Sequence, residues 1–111
     1  MVVGALMMTL HVPESGSLKV KRKVVRSITD RVRARFNAAA AEVGANDLWQ
    51  RIELGFAVCG NQTSFVDKQM GEISRFVERL ALAEVVDVRV EVMNLKEMTW
   101  APAADPPWRG D

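Results

Sequence analysis

Residues 37–60 of this 111-residue chain read NAAAAEVGANDLWQRIELGFAVCG, and the structure that this stretch adopts decides the fold. Its second half alternates apolar with polar or small residues, the apolar ones being Ile52, Leu54, Phe56 and Val58, which indicates a strand with one apolar face. The letters GAND at positions 44–47 are typical of a turn, and a hairpin needs a strand on its other side. Alanine's high helix propensity would otherwise let the preceding helix continue. We therefore predict a strand for the alanine segment.

A helix is predicted on each side of this hairpin. The first begins after Ser17, an N-cap residue, and carries an apolar stripe at helical spacing made of Leu18, Val25, Ile28, Val32 and Phe36. The second runs from about residue 64 to 81, where Ser64 and Asp67 have the spacing of a capping box. Its stripe consists of Val66, Met70, Ile73, Val77 and Leu80.

Two further strands, one before the first helix and one after the second, complete the pattern. Residues 2–12 are apolar at both parities, as in a central strand, and valines alternate with polar residues over 86–93. The order β-α-β-β-α-β predicts an α+β, ferredoxin-like domain over residues 1–96: a four-stranded antiparallel sheet of order 4-1-3-2, with both helices on one face. The Pro-rich residues 97–111 are expected to form a flexible tail, whose Trp100 or Trp108 could dock on the sheet.

Composition limits the class of protein. Apolar residues make up 49% and charged residues 26% of the chain, which is typical of one globular domain. A single cysteine excludes an intramolecular disulfide and favours a cytoplasmic protein, and no spacing resembles a metal site. The apolar N-terminus is too short to span a membrane. We expect no cofactor, no metal and no membrane partner.

Charge is concentrated in the first helix. Residues 18–35 carry a net charge of +7, whereas the whole chain has +1, so the other residues sum to −6. Five bases share the arc opposite the apolar stripe, namely Lys19, Arg22, Lys23, Arg26 and Arg33. Ser17, Lys19 and Lys21 at the helix start could bind one phosphate, and the arc could contact several. The alternatives are a solvated helix face and a Lys21 that lies along the surface with its head in water.

The predicted topology also gathers distant segments at one rim of the sheet. These are His11, the helix start, Glu42 and the residues Trp49, Gln50 and Arg51. His11 and Glu42 could form an acid–base pair, but no nucleophile or metal ligand completes a mechanism, and we assign no catalytic residue. Trp49 could stack on a base or could pack. The open sheet face lacks the aromatic residues that bind single-stranded RNA and suits a dimer contact better.

Several segments together resemble the bacterial YlxP-like family, a domain of unknown function (503). They are Ser17-Leu18-Lys19-Val20-Lys21-Arg22, Arg35-Phe36-Asn37, Ala41-Glu42-Val43 and Asp47-Leu48-Trp49-Gln50. The resemblance covers residues 1–95, departs from the family pattern at the alanine segment and implies a ferredoxin-like fold. The family's genes often lie beside those for translation-initiation and ribosome-maturation factors, which implies a translation context by association.

The function expected is therefore a non-enzymatic binding module that docks on RNA or the ribosome through the basic first helix. The alternative is a protein-interaction or homodimerisation domain that uses the open sheet face.

Overall fold

The computed structural model describes residues 1–12 and 16–95. The elements follow in the order β1 Val2–His11, α1 Leu18–Arg35, β2 Ala39–Gly44, β3 Arg51–Gly60, α2 Thr63–Leu80 and β4 Glu84–Asn94. The predicted tail and its possible docking on the sheet lie outside the described residues. Within the described part, no helix is long and apolar enough to cross a membrane.

The four strands form one antiparallel sheet of order β2-β3-β1-β4, which is the predicted order read from the opposite edge. The α+β class with four antiparallel strands and two helices is therefore confirmed. The alanine segment is a strand, as the hairpin argument required. It pairs with β3 from Ala39 opposite Ala57 to Gly44 opposite Glu53, and a register shift falls between Glu42 and Gly44.

The core lies between one face of the sheet and the two helices, because each strand directs alternate residues to the same side. The central strands supply Leu6, Met8, Leu10, Ile52, Leu54 and Phe56, all buried. Gly4 lets α2 approach β1 closely, since a Cβ atom there would lie 2.6 Å from Cγ1 of Val66 and 2.9 Å from Sδ of Met70. The opposite face of the sheet carries no helix among the described elements.

One local prediction was wrong, and the valines of β4 are more exposed than the apolar residues of the central strands. Ser64 does not cap α2, because the helix begins at Thr63 after Gln62, which makes no side-chain capping bond. In β4 the alternating valines do not form a buried row: Val86 and Val90 are 54% and 48% exposed, since β4 is an edge strand. A register shift between Thr9 and Leu10 also places Val85, and not Val86, opposite Leu10.

Candidate anion-binding surface on the first helix

Helix α1 starts at Leu18 because Ser17 caps it. The Ser17 Oγ accepts a hydrogen bond from the Val20 amide at 3.3 Å, as the sequence predicted. No acidic residue occupies the first turn of the helix, although its free amides and dipole favour negative charge there. The helix start therefore keeps its positive potential.

Lys21 is buried, with a side chain that is only 1% exposed. Its ammonium group donates to the backbone oxygen of Ala45 and lies 3.0 Å from Oε2 of Glu42. That oxygen accepts no well-aligned hydrogen bond from the residues described, so the contact is an ion pair and not a directed bond. Lys21 thus ties α1 to the β2–β3 hairpin, and its head does not lie in water. An anion bound at the helix start would therefore contact Lys19 but not Lys21.

The bases in the second half of α1 make contacts within the domain. Arg31 donates to Ser27, and Arg33 donates to Asp30 at 3.2 Å and to the backbone oxygen of Ala40. The Arg35 guanidinium lies 5.1 Å from the ring centre of Phe76. These three arginines therefore hold local structure, including the edge strand β2.

The bases in the first half behave differently. We call Lys19, Arg22, Lys23 and Arg26 the cationic arc: all four are exposed, and none forms an ion pair with any described residue. At about 100° per residue they fall within about 100° of the helix circumference, and they span about 10 Å along its axis. The arc therefore presents four solvated cations on one patch.

A shallow groove runs between α1 and the edge strand β2, next to the cationic arc. Arg22, Arg26 and Arg33 line it from the helix, and Ala41 and Glu42 line it from the strand. Asp30 also lines it but is paired with Arg33, as Glu42 is with Lys21. Arg22 and Arg26 are the two groove cations that belong to the arc.

The predicted rim forms only in part. His11 pairs with Arg51 across β1 and β3, and the Val12 amide donates to the Gln50 oxygen at 2.9 Å. Trp49 is 44% exposed and lies between Leu48, whose amide bonds to Ala45, and Gln50. The indole is therefore held at the rim and is not packed in the core.

His11 and Glu42 lie on opposite faces of the sheet. Glu42 pairs with Leu54 and faces the helices with it, whereas His11 pairs with Arg51 and faces the open side. The sheet therefore separates the two groups that an acid–base pair would need together. Within residues 1–12 and 16–95, no group of three or more His, Cys, Asp or Glu could hold a metal ion.

The open face of the sheet carries a shallow apolar trough of about 710 Å³. Its floor is made of small residues from the three strands β1, β2 and β3: Ala5, Ala39, Ala41, Gly55 and Ala57. Met7 and Val43 border the floor, and Arg89 and Glu91 of β4 form a charged side. Phe56 is the one aromatic residue in the described lining, and it is only 2% exposed because its side chain belongs to the core.

The fold and the cationic arc define a small α+β domain with one basic helix surface. Residues 3–90 match the family model described as "Protein of unknown function (DUF503)", and the chain belongs to this family. It is also 32% identical, over 78 residues, to "Uncharacterized protein YlxP" of Bacillus subtilis (strain 168); the match covers 70% of this chain and 85% of that protein. The resemblance predicted from the sequence is confirmed.

One solved structure reaches a TM-score of 0.50 and agrees with the fold alone. The chain is similar to part of the VAO-type flavoprotein MtVAO615 from Myceliophthora thermophila C1, with a TM-score of 0.50 and 14% identity over 83% of this chain. The match spans 16% of that flavoprotein. A de novo designed protein with ferredoxin fold, LFR1 1, gives a TM-score of 0.48 and 13% identity, covering 95% of this chain and 96% of that one.

Proposed function

We propose that this protein is a non-enzymatic binding module that docks on structured RNA, as found in the ribosome, through the cationic arc of α1. One observation carries the proposal: the buried Lys21 and the bases in the second half of α1 make contacts within the domain, whereas the four bases of the cationic arc form no ion pair with any described residue. Lys19, the first of the arc cations, lies in the first turn at the positive end of the helix dipole, where a cation is least favourable for stability. An anionic partner supplies the missing compensation.

The chemistry favours phosphate over base recognition. Lysine and arginine head groups on a solvated helix face reach phosphate oxygens without reading sequence. Trp49 adds an exposed indole on which an unpaired base can stack. The open sheet face has no aromatic residue on its central strands, so binding of single-stranded RNA across the sheet is not expected. The proposed ligand is therefore folded RNA recognised by its backbone.

The test measures affinity for a labelled RNA hairpin at two salt concentrations. Contacts from all four cations give a slope of log K against log salt of about −3, so affinity falls roughly 60-fold between 50 and 200 mM salt. Reversal of two charges, Arg22→Glu with Arg26→Glu, should lower affinity at least about tenfold and flatten the slope by about two. Pelleting with ribosomes tests the same variants on the larger particle.

The matched control places the same charge reversal on α2. Arg75 and Arg79 are exposed and form no ion pair within the described residues, so Arg75→Glu with Arg79→Glu changes the net charge equally. This control should retain most of the affinity. Binding that is independent of salt, or equal losses in both double variants, would contradict a site on the arc.

A protein-interaction or homodimerisation function is the second candidate, and the apolar trough of the open face favours it. Its direct test is the molecular mass in solution at micromolar concentration. A strict monomer that retains no protein partner counts against this candidate.

We also propose that the domain is ferredoxin-like in the full sense and acts in the cytoplasm. The β-α-β-β-α-β order and the β2-β3-β1-β4 sheet support the first statement. The single cysteine, Cys59, which forms no disulfide, supports the second. Fractionation of cells with a tagged chain tests the location.

A further inference from the structure

The apolar trough lies uncovered on the open face of the sheet. Its floor consists of side chains no larger than a methyl group, bordered by the bulkier Met7 and by Val43, which is 54% exposed. A surface of this shape accepts large apolar side chains that project into it, because bulky groups interdigitate with small ones. The question is which segment supplies those side chains.

The chain leaves the described structure beside this trough. The Leu95 amide donates to the Met1 oxygen at 2.8 Å, so β4 ends next to the start of β1. From Met1 to Ala5 is four residues along a strand, or about 13 Å. Residues 96–100 can span at most about 17 Å when extended. Trp100 is thus within reach of the nearest part of the floor, and Trp108 is within reach of all of it.

The sequence of residues 96–111 complements the trough. It contains two tryptophans and three prolines, and prolines limit the number of conformations that the segment loses on docking. A tryptophan that packs on an apolar floor buries on the order of 150–250 Å² of surface. In the described part of the chain, the one aromatic residue along the trough is Phe56, which is buried in the core and offers little ring surface to the open face.

We propose that residues 96–111 fold back over the open sheet face and that Trp100 packs on the floor formed by Ala5 and Ala57. The segment then occupies the surface that a second copy of the chain would otherwise use. The trough and the cationic arc lie on opposite layers of the domain, so this cover leaves the RNA-binding surface free.

Tryptophan fluorescence tests the proposal in the full-length chain. With Trp49→Phe and Trp108→Phe, Trp100 is the single emitter, and its emission in the folded protein should lie at shorter wavelength than in the urea-unfolded protein. Ala57→Glu places a charge on the floor and should shift the emission toward that of the unfolded chain. Ala39→Glu, on the edge strand, is a second floor variant. Ala34→Glu, on the exposed surface of α1, is the matched control and should leave the emission unchanged.

Three results would overturn the proposal. One is a Trp100 emission that is the same in folded and unfolded protein. Another is a folded Ala57→Glu or Ala39→Glu protein that retains the full shift. The third is a shift that disappears on dilution together with dissociation of a dimer, which would assign the trough to a second copy. RNA affinity of the floor variants should stay within about twofold of the parent, so a failure here is distinguishable from a failure of the proposed function.

Discussion

The buried Lys21 gives the sharpest test of the structure. Lys21→Met keeps the length and packing of the side chain but removes its charge. The substitution leaves Glu42 without its ion-pair partner and leaves the Ala45 oxygen with only the Leu48 amide as donor. We therefore expect the first helix to be held less firmly to the β2–β3 hairpin.

The expected loss in the free energy of unfolding depends on how exposed the side chains of Lys21 and Glu42 are. Breaking a buried ion pair costs about 3–5 kcal/mol when the remaining charge stays buried. The Glu42 side chain is 18% exposed and can turn toward water, which places the expected loss near the lower end. A loss of about 3 kcal/mol would lower the urea midpoint by about 2 M for a slope of about 1.5 kcal/mol/M. The melting temperature would fall by about 12 °C.

Equilibrium unfolding in urea, followed by circular dichroism, measures this loss. The double variant Lys21→Met with Glu42→Met removes both charges and should recover most of the stability, because apolar residues of similar volume replace a buried pair without penalty. Lys23→Met is the control, since Lys23 is exposed and should change the free energy of unfolding by less than about 0.5 kcal/mol.

Two results would refute the reasoning. If Lys21→Met unfolds within about 0.5 kcal/mol of the parent, the ion pair does not hold the hairpin. If the double variant is as unstable as the single one, the loss comes from packing of the lysine stem or from the bond to the Ala45 oxygen, and not from the unpaired carboxylate.

Three further predictions follow from particular contacts. Gly4→Ala should destabilise the protein by about 2 kcal/mol, because the new Cβ meets Val66 and Met70 in the core. Gly55→Ala should cost less than about 0.5 kcal/mol, because the new Cβ meets only the exposed Val43. Urea unfolding of both variants compares the two losses. Ala81→Gly should raise the free energy of unfolding by up to about 1 kcal/mol, because Ala81 ends α2 with a φ of 52°, and an unchanged or lower melting temperature would contradict this. Lys19→Gln with Arg22→Gln should raise the free energy of unfolding by about 0.5 kcal/mol and weaken RNA binding. A variant that loses both stability and RNA affinity would assign these bases a structural role instead.

Local chemistry explains what the sequence could predict. The Ser17 cap depends on one hydroxyl and an amide three residues away, and the strand after the turn depends on alternation, so both were predictable from a few neighbouring residues. The residues on the open face of the sheet were also predictable, because every second residue of a strand points to the same face.

The features that the sequence did not predict depend on residues that are far apart in the chain. Lys21 occupies a position of the apolar stripe, which is the sequence signal of its burial, but its partners lie 21 and 24 residues later and meet it only when the hairpin packs against α1. The exposure of Val86 and Val90 depends on the place of β4 at the edge of the sheet and on a register shift in its pairing with β1. Neither is encoded within the strand itself.

The division within α1 links this burial to the proposed function. Arg33 and Arg35 lie in the last turn, where the helix dipole favours cations, and both also contact the rest of the domain. Lys19 has neither advantage: it lies in the first turn, with no acid beside it and no ion pair among the described residues. Glu42 is engaged by the buried Lys21 and is not available to the arc. Stability alone would favour an acidic or neutral residue at position 19, and the lysine there agrees with the proposal that the arc binds an anionic partner.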